Sequence, residues 1–285
     1  MVVQNIKPLA VYGLTATLKM SQKDVRLRAW GLAGPVIYEF PLKEGQSEGM
    51  LAEGVAVNVM FRNEMDEEDM ENESHVKAYT DRIVTNDVRN RLIAAMVKEA
   101  RERGYFTICL VTRVRHLQRL STLLDDIPHR VVSGSFRGEQ VDVKKRMLAK
   151  DKFEEGGIRV ILANTVFKKG VNIKRVDVII DAAAGSDSDD VIQKFGRGVR
   201  LHDEKSGLMY FDVSDFDTKN PKNWFWKGSK KRMRALNLAG IERAQVDWED
   251  KITKASIKEI FDTGERLLKK RLERVAQLKL EGLES

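Results

Sequence analysis

Three short apolar runs, separated by segments with helical periodicity, constrain the fold of this 285-residue chain more than any other feature. The runs cover residues 108–111, 160–163 and 178–180 and contain no charged side chain. Continuous apolar runs of this length are typical of parallel strands buried on both faces, and parallel strands require long, usually helical crossovers. The pattern therefore predicts an α/β fold with a doubly wound parallel sheet.

Periodicity elsewhere adds further elements to this sheet. Five more segments have strand character: residues 10–14, 36–40, 55–61, 130–133 and 209–213. Residues 85–103 have apolar side chains at helical spacing, with Asn86 or Asp87 as the candidate cap and Gly104 as the candidate end. Ligands of such sheets bind where parallel strands end, so the loops after the buried strands are the expected place for chemistry.

Charge is unevenly distributed along the chain. Residues 219–285 hold 17 basic and 10 acidic residues, which accounts for the whole net charge of +7, whereas the preceding part has 33 of each sign. Seven carboxylates fall between positions 64 and 73, and such a like-charge block favours a solvated, mobile loop.

No segment has the length and apolar character of a membrane span or a secretory leader, and the single Cys109 excludes an internal disulfide. We therefore expect a cytoplasmic location and no membrane partner.

The C-terminal segment first interleaves aromatic and basic residues. These are Lys222, Trp224, Phe225, Trp226, Lys227, Lys230, Lys231, Arg232 and Arg234. Such a composition suits a phosphate track with a surface for base stacking, but tryptophans that pin the segment to the sheet while the lysines face water explain it as well. Residues 252–280 then predict a long amphipathic helix, which Gly264 interrupts and divides in two.

A polar motif follows the third apolar run. Its members Gln193, Gly196, Arg197 and Arg200 lie three or four residues apart and would share one face of a helix. Two guanidinium groups on one face can bind phosphate bidentately, although a solvated helix end accounts for the spacing equally well. The four histidines are far apart in the sequence and lack the spacing of metal ligands.

The order of these motifs resembles the later motifs of superfamily 2 helicases. In its details it looks most like the phage recombination, restriction-subunit and XPB-type branch. The series comprises Gly-Leu-Thr-Ala-Thr at 13–17, residues 108–113, Ser133-Gly134, Thr165 with Gly170, and Gln193 to Arg200. The resemblance covers roughly residues 8–216 and implies a RecA-like sheet that forms the second of two motor lobes.

The resemblance also implies roles for individual residues. On the nucleotide side these are Gln193, Arg197, Arg200, Gly170 and Asn172, with Arg200 matching the arginine finger. The residues expected to contact a nucleic-acid strand are Thr112, Arg113, Ser133 and Thr165. Because they are basic, we add Lys230 and Lys231 of the C-terminal segment to this nucleic-acid-binding set. Thr15 and Thr17 match the segment that couples nucleotide state to the strand.

The chain also departs from the family. Lys169, Asn172 and Lys174 stand where the family usually has an acidic residue, Asp and Pro. The sequence contains no Gly-x-x-x-x-Gly-Lys-[Ser/Thr] loop, and no Asp-Glu-x-His or Asp-Glu-x-Asp follows an apolar strand. We therefore expect the first lobe, with its Walker A and B motifs, to be supplied in cis or in trans. ATP and Mg²⁺ are expected only together with that lobe.

These observations predict four regions and one leading function. The regions are the tail of the first lobe with connecting strands (1–60), an acidic mobile loop (61–80), the second RecA-like lobe (81–218) and a mainly helical basic extension (219–285). The function is that of the C-terminal motor lobe of an ATP-dependent helicase or translocase, with DNA favoured over RNA. The alternative is a non-catalytic nucleic-acid-binding or regulatory subunit derived from such a lobe.

Overall fold

The structure is a computed structural model that describes residues 11–13, 23–136, 139–140, 142–164, 173–248 and 251–283. The chain divides into two compact units, Met1–Pro41 and Leu42–Ser285. The described part of the first unit contains helix α1, Lys23–Ala33. The boundary between the units lies before the predicted end of the first region at residue 60, because residues 54–60 form a strand within the main sheet.

The second unit contains the remaining described elements. Its strands are β1 Gly54–Arg62, β2 Thr107–Leu110, β3 Arg130–Val132, β4 Ser135–Phe136, β5 Glu139–Gln140, β6 Val160–Ala163, β7 Val178–Asp181, β8 Leu208–Phe216 and β9 Arg243–Asp247. Its helices are α2 Leu42–Ser47, α3 Glu67–Asn72, α4 His75–Tyr79, α5 Asp87–Glu102, α6 Val114–Leu123, α7 Val143–Glu154, α8 Ser188–Gly198, α9 Trp224–Leu238 and α10 Lys254–Leu283, and a π-helical turn at Thr80–Val84 continues α4.

Among the described residues, seven strands form one sheet in the order β3-β6-β2-β7-β8-β1-β9, and β4 and β5 form a separate antiparallel hairpin. Every neighbouring pair in the seven-stranded sheet is parallel. Ile108 in β2, for example, lies opposite Ile161 in β6 and Ile179 in β7. The predicted doubly wound parallel sheet is confirmed.

Helices cover both faces of this sheet. Side chains alternate along each strand, so Val55 and Val57 face one apolar core while Ala56 faces the other. Helices α5, α6 and α10 pack on the first core, and helices α7, α8 and α9 pack on the second. Strands β2, β6 and β7 are buried along their whole length, as the uncharged runs predicted. None of the described helices combines the length and the apolar character needed to cross a bilayer.

Two predicted strands are not found in the first unit. Residues 36–40 are described without strand structure, and so are residues 11–13 of the predicted strand at 10–14. Residues 10 and 14 lie outside the described part of the chain. A strand forms only where a second strand satisfies its backbone groups, and no such pairing involves these segments within the described residues.

The acidic segment is helical, so the predicted loop is wrong for most of its length. Asp66 caps α3 by accepting from the backbone N–H of Asp69, and Ser74 caps α4 by accepting from that of Lys77. Basic side chains also offset the carboxylates. The pairs are Arg82–Asp69, Lys219–Glu64 and Lys222–Glu67.

The C-terminal extension is more closely integrated than the sequence indicated. Strand β9 joins the edge of the main sheet beside β1, and α10 runs without interruption through Gly264. A Cβ at Gly264 would lie 3.1 Å from both Met209 Sδ and Phe211 Cζ. The predicted division of this helix is therefore wrong, because the glycine serves a close crossing of helix and sheet.

Candidate nucleotide and nucleic-acid sites

Helix α8, which carries the polar motif, runs back along the sheet from the carboxyl end of β7. Asp187 caps its first turn by accepting from the backbone N–H of Asp189 at 3.0 Å. At its other end the carbonyl of Val199 accepts from the backbone N–H of Ala52, just before β1. The last turn of α8 therefore lies beside the amino ends of the strands.

Arg197 lies on that last turn, and Arg200 follows two residues after the helix ends at Gly198. Both side chains are half-buried. Burial lowers the pKa of Arg197 from its ordinary value, and the neighbouring charge of Arg200 lowers it further. The charge of Asp190 acts on the pKa of Arg197 in the opposite direction, so the effect of Arg200 is partly offset. The structure thus keeps the two arginines that the sequence predicts to bind phosphate at the same end of α8.

Lys205 holds the segment between these arginines and β8. Its ammonium group donates to the carbonyl of Gly198 and, at 3.5 Å, to the carbonyl of Arg200. A cation at this position also interacts favourably with the C-terminus of α8. Burial lowers the pKa of Lys205 to about 8. The sequence did not single out this lysine, because it lies in a polar turn outside the motif.

A buried ion pair lies beneath α8. Lys194 Nζ lies 2.7 Å from Asp181 Oδ2 and 3.0 Å from Asp190 Oδ2, and the Tyr210 hydroxyl donates to Asp181 at 2.5 Å. Burial alone would raise the pKa of Asp181, but the charge of Lys194, followed by that of Arg232, brings the pKa below its usual value. Sequence reasoning missed this cluster. The available signal was Asp181 itself, a charge that directly ends an uncharged strand.

Side chains from distant elements hold the loop between β7 and α8. Arg89 donates to the carbonyl of Ala182 at 3.1 Å, and the Tyr79 hydroxyl donates to that of Ala183 at 2.7 Å. Arg232, which is paired with Asp212, donates to the carbonyl of Gly185. Between them Ala184 has a φ of 49°, a left-handed conformation that costs energy for a residue with a Cβ. The surrounding hydrogen bonds therefore fix a strained loop.

Thr112, a candidate for contact with nucleic acid, lies against this loop: it is exposed just after β2, and its hydroxyl lies 3.4 Å from the carbonyl of Ala183. The next candidate, Arg113, donates to the Thr80 hydroxyl at 2.5 Å, and its guanidinium carbon lies 4.7 Å from the centroid of the Tyr79 ring. Both residues therefore lie at the carboxyl edge of the sheet.

The other predicted site residues do not all join them. Ser133 is fully buried, which disagrees with its predicted contact to a bound strand, because its hydroxyl has no exposed surface. Thr15, Thr17, Thr165, Gly170 and Asn172 lie outside the described residues.

The structure assigns different positions to the aromatic residues of α9. Phe225 is 2% exposed and packs near Tyr79, whereas Trp224 and Trp226 are half-buried. Lys230 and Lys231 are exposed, and Lys230 Nζ lies 5.0 Å from the Trp226 ring. Helix α9 is therefore anchored to the body by Phe225 and also presents an exposed basic surface with Lys230 and Lys231.

The two candidate sites lie at opposite edges of the sheet. Thr112 and Arg113 follow the carboxyl end of β2, whereas Arg197 and Arg200 lie near the amino ends of β1 and β8. Helix α8 itself spans roughly 15 Å between these edges. Thr112 and Arg113 lie where the loops after the strands were expected to place a site, whereas the arginine pair does not, because helix α8 returns along the sheet before the arginines are reached.

Comparison with known proteins shows similarity to helicases. Residues 88–202 match the helicase conserved C-terminal domain. The ATP-dependent DNA helicase uvsW of Enterobacteria phage T4 is 23% identical over 238 residues, which cover 82% of this chain and 46% of that protein. DEAD-box ATP-dependent RNA helicase 36 of Arabidopsis thaliana is 24% identical over 135 residues, which cover 47% of this chain and 26% of that protein. The chain thus spans less than half the length of these relatives.

Solved structures show the same fold at lower identity. The crystal structure of T4 UvsW matches 70% of this chain and 42% of that one, with 19% identity and a TM-score of 0.53. A fragment of a putative HsdR subunit of a type I restriction enzyme from Vibrio vulnificus matches 83% of this chain and 43% of that one, with 15% identity and a TM-score of 0.55. The L327V variant of S. cerevisiae Dbp5, bound to RNA and ADP BeF3, matches 89% of this chain and 54% of that one, with 14% identity and a TM-score of 0.54.

Proposed function

We propose that the chain is the C-terminal motor lobe of an ATP-dependent helicase or translocase of superfamily 2; the match of residues 88–202 to the helicase conserved C-terminal domain and the RecA-like sheet support this proposal. The juxtaposition of Arg197 and Arg200 at the end of α8 is the observation that carries this proposal. Phosphoryl transfer requires little covalent chemistry and much stabilisation of charge on phosphate oxygens, which paired guanidinium groups supply.

Arg200 is the proposed arginine finger, and Arg197 is the second phosphate contact. Gln193, one turn before Arg197 on α8, is placed beside the nucleotide, together with Gly170 and Asn172. Lys205 is a positioning residue in this scheme, since it ties the backbone of Arg200 to the end of α8. ATP and Mg²⁺ supply the phosphoryl group and its counter-charge when a Walker A- and B-bearing first lobe is present, in cis or in trans. Thr15 and Thr17 would couple that lobe to the strand.

We propose that nucleic acid binds along the carboxyl edge of the sheet, opposite the arginine pair, and we call this surface the strand track. Thr112 and Arg113 would contact the nucleic-acid backbone, together with Thr165, which follows β6 in the sequence, and with Lys230 and Lys231 on α9. We assign Ser133 a supporting position behind this surface because it is buried. The separation of the two sites along α8 allows one lobe to contact nucleotide and strand at the same time.

DNA is the proposed substrate. The phage relative that covers 82% of the chain is described as a DNA helicase, and the plant relative described as an RNA helicase covers 47%. A competition assay between DNA and RNA oligonucleotides of the same sequence tests this choice, and preferential retention of RNA would contradict it.

The motor assignment is tested by ATPase assays with and without a first lobe that carries Walker A and B motifs. The chain alone should hydrolyse no ATP, and the complete motor should show turnover stimulated by nucleic acid. Arg200→Ala should then lower turnover on the order of 10³-fold, as arginine fingers do. Arg266→Ala, which removes an exposed arginine on α10, is the matched control and should leave turnover unchanged.

Two results would overturn parts of this assignment. A fall of less than about tenfold for Arg200→Ala would remove that residue from the finger position. Nucleic-acid binding without any turnover in the presence of a first lobe would instead favour a non-catalytic subunit derived from a helicase lobe.

A further inference from the structure

Helix α9 presents an outward face that consists of basic residues. The segment Trp224–Leu238 contains no acidic residue. Four exposed cations recur at helical spacing along it: Lys227, Lys230, Lys231 and Arg234. Because residues spaced by three, four and seven share one side of a helix, these cations form one stripe of roughly 10 Å.

The opposite side of α9 fixes the direction of this stripe. Phe225, Ser229, Arg232 and Leu236 are buried against the body, and Arg232 pairs with Asp212 at 3.0 Å. Rotation of α9 would expose this charged and apolar side. The basic stripe is therefore a fixed surface of the folded unit.

The two tryptophans of α9 differ in what holds them. Trp224 packs on the apolar cluster around Tyr79 and Phe225, and its ring lies 5.4 Å from that of His75. Trp226 belongs to none of the three apolar clusters formed by the described residues. It is half-buried beside the stripe, with Lys230 Nζ 5.0 Å from its ring. Trp224 therefore packs in an apolar cluster, whereas Trp226 lies outside these clusters and next to an exposed cation of the stripe.

The stripe begins beside the strand-side residues. The Phe225 ring lies 6.4 Å from that of Tyr79, on which the guanidinium group of Arg113 stacks. Arg232 on α9 also donates to the carbonyl of Gly185 in the loop next to Thr112. A chain of contacts thus connects Arg113 with the first turns of α9.

We propose that the outward face of α9 binds single-stranded nucleic acid, with the four cations on backbone phosphates and Trp226 stacked on an unpaired base. The proposal rests on the proposed function and specifies the substrate form that the strand track accepts. Phosphate contacts alone would accept a duplex, but only an unpaired base can stack on an indole ring.

The test measures binding of the full chain to a labelled 20-nucleotide oligothymidylate and to a 20-base-pair duplex by fluorescence anisotropy, between 50 and 200 mM KCl. The variant Lys227→Gln/Lys230→Gln/Lys231→Gln/Arg234→Gln should bind the single strand at least about tenfold more weakly. A plot of its log affinity against log salt concentration should be less steep by about 2 to 3, because each lost phosphate contact removes roughly 0.7 from the slope.

Trp226→Ala should weaken single-strand binding about tenfold, with an unchanged salt slope and less than a twofold change for the duplex. Trp226→Phe should keep most of the affinity, because a phenyl ring also stacks. The charge-matched control is Lys258→Gln/Lys269→Gln/Lys270→Gln/Lys279→Gln on α10, which also removes four exposed cations. Circular dichroism verifies that each variant is folded.

Equal losses in the α9 and α10 variants would overturn the proposal, because they would show a general effect of net charge. An equal effect of Trp226→Ala on single strand and duplex would also overturn it. If nucleic acid binds normally to the α9 variants while turnover of the complete motor still depends on Arg200, this inference and the place of Lys230 and Lys231 in the strand track fail, and the assignment as a motor lobe stands. If the wild-type chain binds no nucleic acid, both fail.

Discussion

Two glycines in the last turns of α8 have different structural surroundings. A Cβ at Gly198 would lie 2.5 Å from Leu208 Cδ2 and 2.8 Å from Ile179 Cδ1, in the centre of the contact between helix and sheet. A Cβ at Gly196 would meet only Leu42 Cδ2, at 3.6 Å. The sequence places both residues in one motif, but only Gly198 is required by packing, and it sets how closely the arginine-bearing turn approaches β8.

We predict that Gly198→Ala destabilises the protein by about 1 to 3 kcal/mol, because the added methyl group overpacks the interface with Leu208 and Ile179. Gly196→Ala is the matched control and should be neutral or stabilising by up to about 1 kcal/mol, since alanine is the better helix former. Urea denaturation measures both. Equal stability of the two variants would contradict the packing argument.

His116 is a second residue whose surroundings have a measurable consequence. It is fully buried, its Nε2 lies 2.7 Å from Asn90 Oδ1, and its Nδ1 has no partner among the described residues. Burial, followed by the charges of Arg89 and Arg119, lowers the pKa of His116 to about 3. The folded state therefore keeps this ring neutral at pH values where the unfolded chain binds a proton.

This difference predicts acid sensitivity with a defined sign. A lowered pKa stabilises the fold above the unfolded value of about 6.5, and this stability is lost as the pH falls towards 3. At pH 5 the loss from His116 should be about 2 kcal/mol. His116→Gln should reduce the fall in unfolding free energy between pH 8 and pH 5 by about that amount. An unchanged fall in His116→Gln would refute the prediction.

At the scale of elements, buried ion pairs join helices to the sheet. Arg89 on α5 pairs with Asp215, and Arg232 on α9 pairs with Asp212, each at 3.0 Å and almost without exposure. Burial raises the pKa of Asp212 even though Arg232 opposes the rise. Such pairs contribute little net stability, but they penalise any arrangement that separates the partners, so they fix where α9 and α5 lie.

Removing one partner should therefore cost much more than removing an exposed pair. We predict that Arg232→Met destabilises the protein by about 3 to 5 kcal/mol, because Asp212 remains buried without its cation. Asp212→Asn/Arg232→Met should recover part of the loss. Arg266→Met, which breaks the exposed pair with Glu259, is the control and should cost no more than about 1 kcal/mol. Similar midpoints for the Arg232 and Arg266 variants in urea denaturation would contradict this account.

At the scale of the whole molecule, the apolar cores belong to the second unit. The three clusters of buried apolar residues that the described part of the chain forms all lie after Leu42. We predict that a chain starting at Leu42 unfolds cooperatively, with a urea midpoint close to that of the full chain. Loss of a cooperative transition on removal of residues 1–41 would show that the first unit contributes to the core.

Particular elements show how far the sequence predicts this fold. Strand β6 was predictable because all its residues are apolar and buried, so its composition reports its environment. Strand β9 was not, because Arg243–Asp247 is a polar edge strand whose only signal is its distant partner β1. The spacing of Arg197 and Arg200 predicted their proximity, whereas Lys205 and Lys194 were missed because their partners are set by folding.

The sequence by itself determined the class of the fold and the order of its motifs, because apolar runs and helical spacing are local properties that hold in any compact state. Only the tertiary structure decided which strands are neighbours, that Ser133 is buried, and that the arginine pair and Thr112 lie at opposite edges of the sheet. The physical reason is that burial, ion pairing and strand order depend on residues far apart in the chain. These interactions form only after the helices that connect the strands have packed on the sheet.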